Sequence, residues 1–459
     1  MKRKITEAEI AYLLEHLEDH YQGVSLSEYL SVNAEEQSHS KPCIHIPLSS
    51  SDLDLKKVVE LEGLPVLFPV ENKDGWYHLE DKKVVFHHDI LKSAFYLLSA
   101  YQEYHGGEQD ELGRYPWTSS IQHRLQFTDR PLVNEYFEII LEAIEHFCKL
   151  NQLAFSRTPP ASPVLFLSHD VDRINKYSLR NTLYLLMVAL GIKSSTLDKH
   201  TRQALLRQTA TGTFLSKKDP YWNFKDLQEV EKNLGIRSTW FLLEKTRLDN
   251  SKYLFSDKKI RKLIRDLEDH GHEIGIHGTL ESSSDATSMD ESLQRLNTVT
   301  RHPVSGNRQH YLKYDNPGTA EILDRSGLSY DATMGFAEHI GFRHSYCHPY
   351  RLFDFEKQKA RKTVQLPLVV MEVSLLDYMK IPHDQGLEFL QPILDQIRRH
   401  KGIFGLLWHN CQLDEEYRPG INSTYRSILS YCLDSGFEAL TGSDIYKAYR
   451  EDQTFFMKR

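Results

Sequence analysis

Residues 164–172, VLFLSHDVD, end an apolar run on two aspartates and a histidine. A run of strand length, entered after Pro159, Pro160 and Pro163, reads as a central parallel strand. Its charged end would then lie where α/β folds keep their chemistry, outside the carboxyl ends of the strands. Asp170 and Asp172 are therefore the first candidates for function, with His169 just before them. Other polar residues recur at the ends of later strand-like stretches: His277, then Arg308, His310 and Tyr311, then Asp331, then His409 and Asn410. Two carboxylates and several imidazoles at one mouth supply what metal-assisted hydrolysis needs, namely ligands for a divalent ion and separate groups to take and give protons. An arginine beside a carboxylate favours its charged form and orients it, which gives Arg308 a part. Each residue alone reads as an ordinary structural group; the set carries the argument. Tyr311 and Trp408 read equally as core aromatics or as a sugar-stacking wall.

The elements that would position this set follow a regular pattern. Helix-period runs end at Gly235, Gly271, Gly327, Gly402 and Gly436, each followed by a strand, and glycine just past a helix end supplies a left-handed cap. The piece 288–291, SMDE, matches a capping box opening one more helix. With VLFLS and VQLPLVVMEVSL, about eight strands alternate with helices, which favours a parallel (β/α) barrel over an open doubly wound sheet. No GxGxxG or phosphate-loop motif opens any helix.

The chain of 459 residues is long enough for one large and one smaller core, divided here as 1–155 and 160–459. The first part reads as an α+β accessory domain: an opening amphipathic helix, a strand at 65–70, a strand running into a helix that Asp89 could cap, and a helix over 133–150. His87, His88 and His105 lack partners at a metal-site spacing, and no chemistry is expected from this domain. A net charge of −8 gives no support to the basic face of a nucleic-acid binder, and small or neutral substrates fit better. Five scattered cysteines without a CxxC pair read as reduced thiols. The first residues run amphipathic and acidic, without the apolar core of an export signal, so a cytoplasmic location is expected. The apolar stretch 183–192, set among basic residues over 176–207, is too short to span a bilayer. It reads as a helical insertion packed on the protein, with a peripheral membrane contact of the amphipathic basic kind as the alternative.

Taken in order, SHDVD, EIGIHG, GNRQHY, YDATMGF and GLLWHN resemble the five motifs of the polysaccharide deacetylases, over roughly residues 164–444. The first 155 residues look like the accessory domain of a bacterial subgroup of that family. The resemblance implies a distorted (β/α) barrel of seven or eight strands that hydrolyses an N-acetyl group from an amino sugar with a divalent metal, zinc first, cobalt or nickel otherwise. It makes Asp170 the general base, Arg308 the residue that positions it, and His409 the general acid, with a backbone amide near Tyr311 as a further donor to the oxyanion. Asp172, in an aspartate-x-aspartate version of the first motif, and His277 would bind the metal. The histidine usual four residues later is Glu281 here, which gives Asp172, His277 and Glu281 as the expected ligands and His310 as the alternative third. The fourth motif lacks its usual tryptophan. Without an export signal, the expected substrate is a precursor of a cell-surface glycan. The competing readings are hydrolysis of another amide or cyclic imide, and a carbohydrate-binding scaffold that has lost its metal.

Overall fold

The computed structural model describes residues 2–32, 41–71, 73–193, 199–215, 218–451 and 455–456. Its largest sheet is built around β1 (Val164–Val171), every residue of which is buried. Such a strand, covered on both faces, is apolar along its length rather than alternating. β2 (Thr239–Leu242), β3 (Glu273–Gly278), β4 (Gly306–Gln309) and β5 (Tyr330–Asp331) follow in order on one side, all parallel. β6 (Lys359–Gln365) pairs parallel with β5, and β7 (Ile403–Leu407) pairs parallel with β1 on its other side.

The ring closes through a single stretch of chain. After β6, Leu366 N–H donates to Asp331 O (2.8 Å), and three residues later Val369 N–H donates to Gly405 O (3.0 Å). The chain then enters Val370–Met371, parallel to β7. Residues 359–371 thus neighbour β5 with their first part and β7 with their last, giving a distorted barrel of seven strands. A side chain at Gly405 would meet Pro367 O at 2.0 Å, so this close approach requires glycine. The eighth strand expected from FEALTG is only Glu438–Ala439, which pairs with the start of β1 while β2 takes its end.

Helices cover the ring with one apolar face each. Lys258–Asp269 buries Ile260, Leu263, Ile264 and Leu267, the spacing of a single helical stripe. Gly235, Gly271, Gly327 and Gly436 adopt the expected left-handed backbone. Gly402 does not: Lys401 is the left-handed residue, and Gly402 lies so close to the next element that a Cβ would stand 2.7 Å from Cys347 O. The helix Ala286–Asn297 also starts earlier than the SMDE piece suggests, because Asp285 accepts from Thr287 and Ser288 N–H and takes the cap.

Between β1 and β2 the chain makes three helices, Leu179–Ala189, Lys199–Phe214 and Phe224–Asn233, the first two packed on each other as a pair. Among the described residues no helix is long and apolar enough to cross a membrane.

The N-terminal region holds a four-stranded mixed sheet in the order Leu30–Ser31, Cys43–His45, Lys83–Phe86, Tyr77–Glu80. Helices Glu7–Leu17, Ile90–Leu98 and Leu132–Asn151 pack with it, and Asp89 caps the second through Lys92 N–H. Apolar residues from this region and from the barrel helices join one continuous core. Polar contacts reinforce the junction. Glu103 forms a bidentate pair with Arg343 (2.6 and 2.8 Å) and meets His344, while the Tyr12 hydroxyl donates to Arg351 O (2.7 Å).

Candidate active site

The carboxyl ends of β1, β3, β4 and β7 bring together Asp170, Asp172, His277, Arg308, His310 and His409. The strand period decides which side chains arrive: Asp170 and Asp172 share one face, and His169 points the other way. Ligand atoms of Asp172, His277 and His310 all lie within 4.8 Å of one another, and the three side chains are buried. His277 Nε2 stands 3.3 Å from Asp172 Oδ1 and 3.4 Å from Asp170 Oδ2. His310 Nε2 stands 3.5 Å and His409 Nε2 3.7 Å from Asp172 Oδ2. Arg308 donates from one nitrogen to Asp170 Oδ1 (3.2 Å) and to the Ser168 hydroxyl (2.9 Å), and from Nε to Ala332 O (2.9 Å), so the base candidate is held from behind.

The other nitrogen of each imidazole is fixed. His277 Nδ1 donates to Arg308 O (2.7 Å), His310 Nδ1 to Asp249 (2.5 Å) and His409 Nδ1 to Glu372 (2.6 Å). Each Nε2 is thereby aimed into the cluster. Asp172 Oδ1 and His310 Nε2 are buried without a hydrogen-bond partner among the described residues, which in a native site calls for an ion or another acceptor of their lone pairs. Electrostatics agree. Burial would raise the Asp172 carboxyl, but His310 and His277 outweigh it and hold it well below the usual carboxylate range. Burial opposes charge on His310, yet Asp172 and Asp249 push it up to about 9. His409, also against burial, is held well above the ordinary imidazole value by Glu372 and then Asp172. The cluster favours positive charge, and two imidazoles with a carboxylate suit a borderline divalent ion such as zinc.

Several expected residues go elsewhere. Glu281 is exposed and outside the cluster; its carbonyl accepts from Ser284 and Asp285 N–H in a turn, and His310 stands where the third ligand was expected from it. His169 bridges Trp408 O (2.7 Å) and Glu231 (2.9 Å) in the core. Asn410 ties Arg173 O to Tyr221 O. Asp331 accepts from Asn307 and Thr333 beneath the mouth, where burial pushes it up to about 6. Trp408 is fully buried edge-on to Tyr425 and forms no wall of the pocket. Tyr311 does line it and is half-exposed. The reading of the residues missed Asp249, which sits in a loop, and Glu372, which directly follows the strand Val370–Met371.

A cavity of about 200 Å³ opens over the cluster, lined by Asp170, Asp172, Arg173, Tyr311 and His409 and, from the N-terminal region, Arg114. That region was expected to hold no chemistry. Arg114 is paired with Asp110 (2.6 Å) and donates to Tyr311 O (3.1 Å). Tyr311 and Leu312 are successive non-glycine residues with left-handed backbone, at φ 60° and 56°. Such conformations cost on the order of 1–3 kcal/mol each and persist only where surroundings impose them. A larger cavity, of about 650 Å³, lies where Trp117 stacks on His339, but it lacks the carboxylate and imidazole cluster.

No curated protein matches the chain. Among solved structures, the chain is similar to a putative polysaccharide deacetylase from Mycobacterium smegmatis (18% identity, 64% of this chain and 96% of that one, TM-score 0.41). It is likewise similar to the Puue allantoinase (13%, 63% and 91%, TM-score 0.41) and to a CE4 family pseudoenzyme from Bacillus anthracis (12%, 62% and 66%, TM-score 0.31). Residues 2–149 match a family of unknown function, DUF7033.

Proposed function

We propose that the chain is a metal-dependent deacetylase of the polysaccharide deacetylase family, removing an N-acetyl group from an amino sugar of a glycan or glycan precursor. The observation that carries this reading is the pairing of an Arg308-held carboxylate, Asp170, and a Glu372-held imidazole, His409, on the same three-residue cluster of Asp172, His277 and His310. The five ordered motifs resemble those of that family and support the same assignment.

Asp172, His277 and His310 would hold the divalent ion. When bound, such an ion polarises an amide carbonyl and makes water acidic enough to act near neutral pH. Asp170 takes the proton of the attacking water, with Arg308 fixing its orientation from behind. His409 donates a proton to the departing amine nitrogen, which must leave neutral. Glu372 keeps His409 protonated until that moment. Tyr311, exposed at the rim, offers a face against which a sugar ring can rest.

Metal content and acetate release from N-acetylated amino sugars test the reading on one sample. Near-stoichiometric zinc, cobalt or nickel with metal-dependent acetate is expected. Asp170→Asn should keep the metal and lose turnover by about 10²–10⁴-fold, the usual worth of general base catalysis. His277→Ala and His310→Ala should lose both, while Glu281→Gln keeps both. Loss of metal in Glu281→Gln with retention in His310→Ala would overturn the ligand set, and acetate release unchanged by chelation would overturn the mechanism.

A further inference from the structure

The helical pair between β1 and β2 presents an apolar stripe to solvent. Leu179, Leu183, Leu186 and Leu190 fall four, three and four residues apart, on one face of the first helix, and are 68%, 56%, 41% and 65% exposed. Phe214 and Leu215, at the end of the second helix, are 71% and 68% exposed. They lie beside the start of the stripe, since the Thr182 and Thr213 hydroxyls are 3.2 Å apart. The opposite side faces the protein: Val188 and Thr209 are buried, and Gln208 donates to Glu416 O (2.8 Å). Isolated exposed leucines are ordinary, but a contiguous patch of this kind marks an interaction surface.

The charge around the stripe selects the partner. Residues 176–218 contain eight lysines and arginines against one aspartate, in a chain whose net charge is −8. Arg180, Lys193, Lys199 and Arg207 are exposed beside the stripe. A second copy docking through the same face would bring two basic segments together, which like charges oppose. An anionic bilayer answers both features, taking the leucines into its acyl boundary and the cations among its headgroups. The first helix rises only about 16 Å along its axis, so it lies in the interface and does not cross. We propose that this helical pair is a docking surface for an anionic lipid membrane. The proposal is independent of the assigned reaction. The same connection carries Asp172 and Arg173, which line the cavity.

Co-sedimentation of the full chain with vesicles tests it. Binding is expected to vesicles containing phosphatidylglycerol, weakly or not at all to phosphatidylcholine alone, with release at about 1 M salt, where charges are screened beyond about 3 Å. The double variant Leu183→Glu with Leu186→Glu should weaken binding at least about tenfold. Lys193→Glu with Arg207→Glu should weaken it about fivefold per charge removed, or more. Both sets lie on the surface, and unchanged thermal unfolding confirms that the fold is kept. The proposal is overturned if the native chain stays unbound with anionic vesicles, if it binds both vesicle types equally, or if it forms a concentration-dependent dimer that Leu183→Glu abolishes.

Discussion

Two of the three imidazoles in the site, His310 and His409, hand their second nitrogen to a carboxylate, and the third, His277, to a backbone carbonyl. A carboxylate behind an imidazole stabilises its cation, which suits His409 as an acid. Glu372 is buried and holds His409 at 2.6 Å. In Glu372→Gln the raised pKa of His409 should fall toward its ordinary value. Because the acid must be protonated to work, activity falls as pH rises through that pKa, so the alkaline limb of the kcat/KM profile should move to lower pH. A profile that keeps its alkaline limb would remove His409 from the acid role. Asp170, Asp172, His277, Arg308 and His409 were legible because each falls at the end of a stretch that reads as a strand. His169 was misplaced for want of applying strand alternation, which sends it to Glu231. Asp249 gave no signal, since it lies in a loop far in sequence from His310; Glu372 lies in the stretch VQLPLVVMEVSL and was passed over although it holds a strand-end position like the others.

At the scale of elements, glycine marks two different needs. Most helix-ending glycines supply backbone that turns left-handed, where alanine costs strain. Gly402 instead supplies absence of volume beside Cys347, and Ile403 N–H completes the contact by donating to Cys347 O (2.7 Å). Gly402→Ala should therefore destabilise by about 1–3 kcal/mol, as overpacking does, measured by chemical denaturation. An effect below about 0.5 kcal/mol would mean that the Cys347 loop moves freely aside. Strand runs and helix stops were readable because they are local. The ring closure was not, because residues 359–371 read as strand whether they have one neighbour or two. The hydrogen bonds of Leu366 to Asp331 and of Val369 to Gly405, with the close approach of Gly405 to Pro367, decide the matter.

Across the whole molecule, the N-terminal region and the barrel share a core and a buried ion pair, a union that the Pro-rich stretch between them does not announce. Burial works to raise the Glu103 carboxyl, but Arg343 and His344 prevail and hold it at about 2 against an ordinary 4.5. A depressed carboxylate stabilises the fold fully above its unfolded value and loses that contribution as pH falls toward its folded one. Glu103 should thus contribute about 3 kcal/mol that disappears between pH 4.5 and about 2. Urea midpoints of Glu103→Gln should be lower than native at neutral pH and converge on it in acid; parallel curves would sink this assignment. Arg114 extends the same union to the cavity itself through Tyr311.

The chain leaves β1 at Val171 and does not return to the sheet until Thr239, having built three helices on the way. Closing an excursion costs entropy that grows only with the logarithm of its length, about 0.6 kcal/mol per doubling. The ring therefore hosts this insertion at little more expense than a short connection, and its neighbouring strands stay in register regardless of what the insertion does. The proposed attachment surface could accordingly be gained or lost by lengthening or trimming this one connection, with Asp170, His277 and Arg308 left where the strands put them.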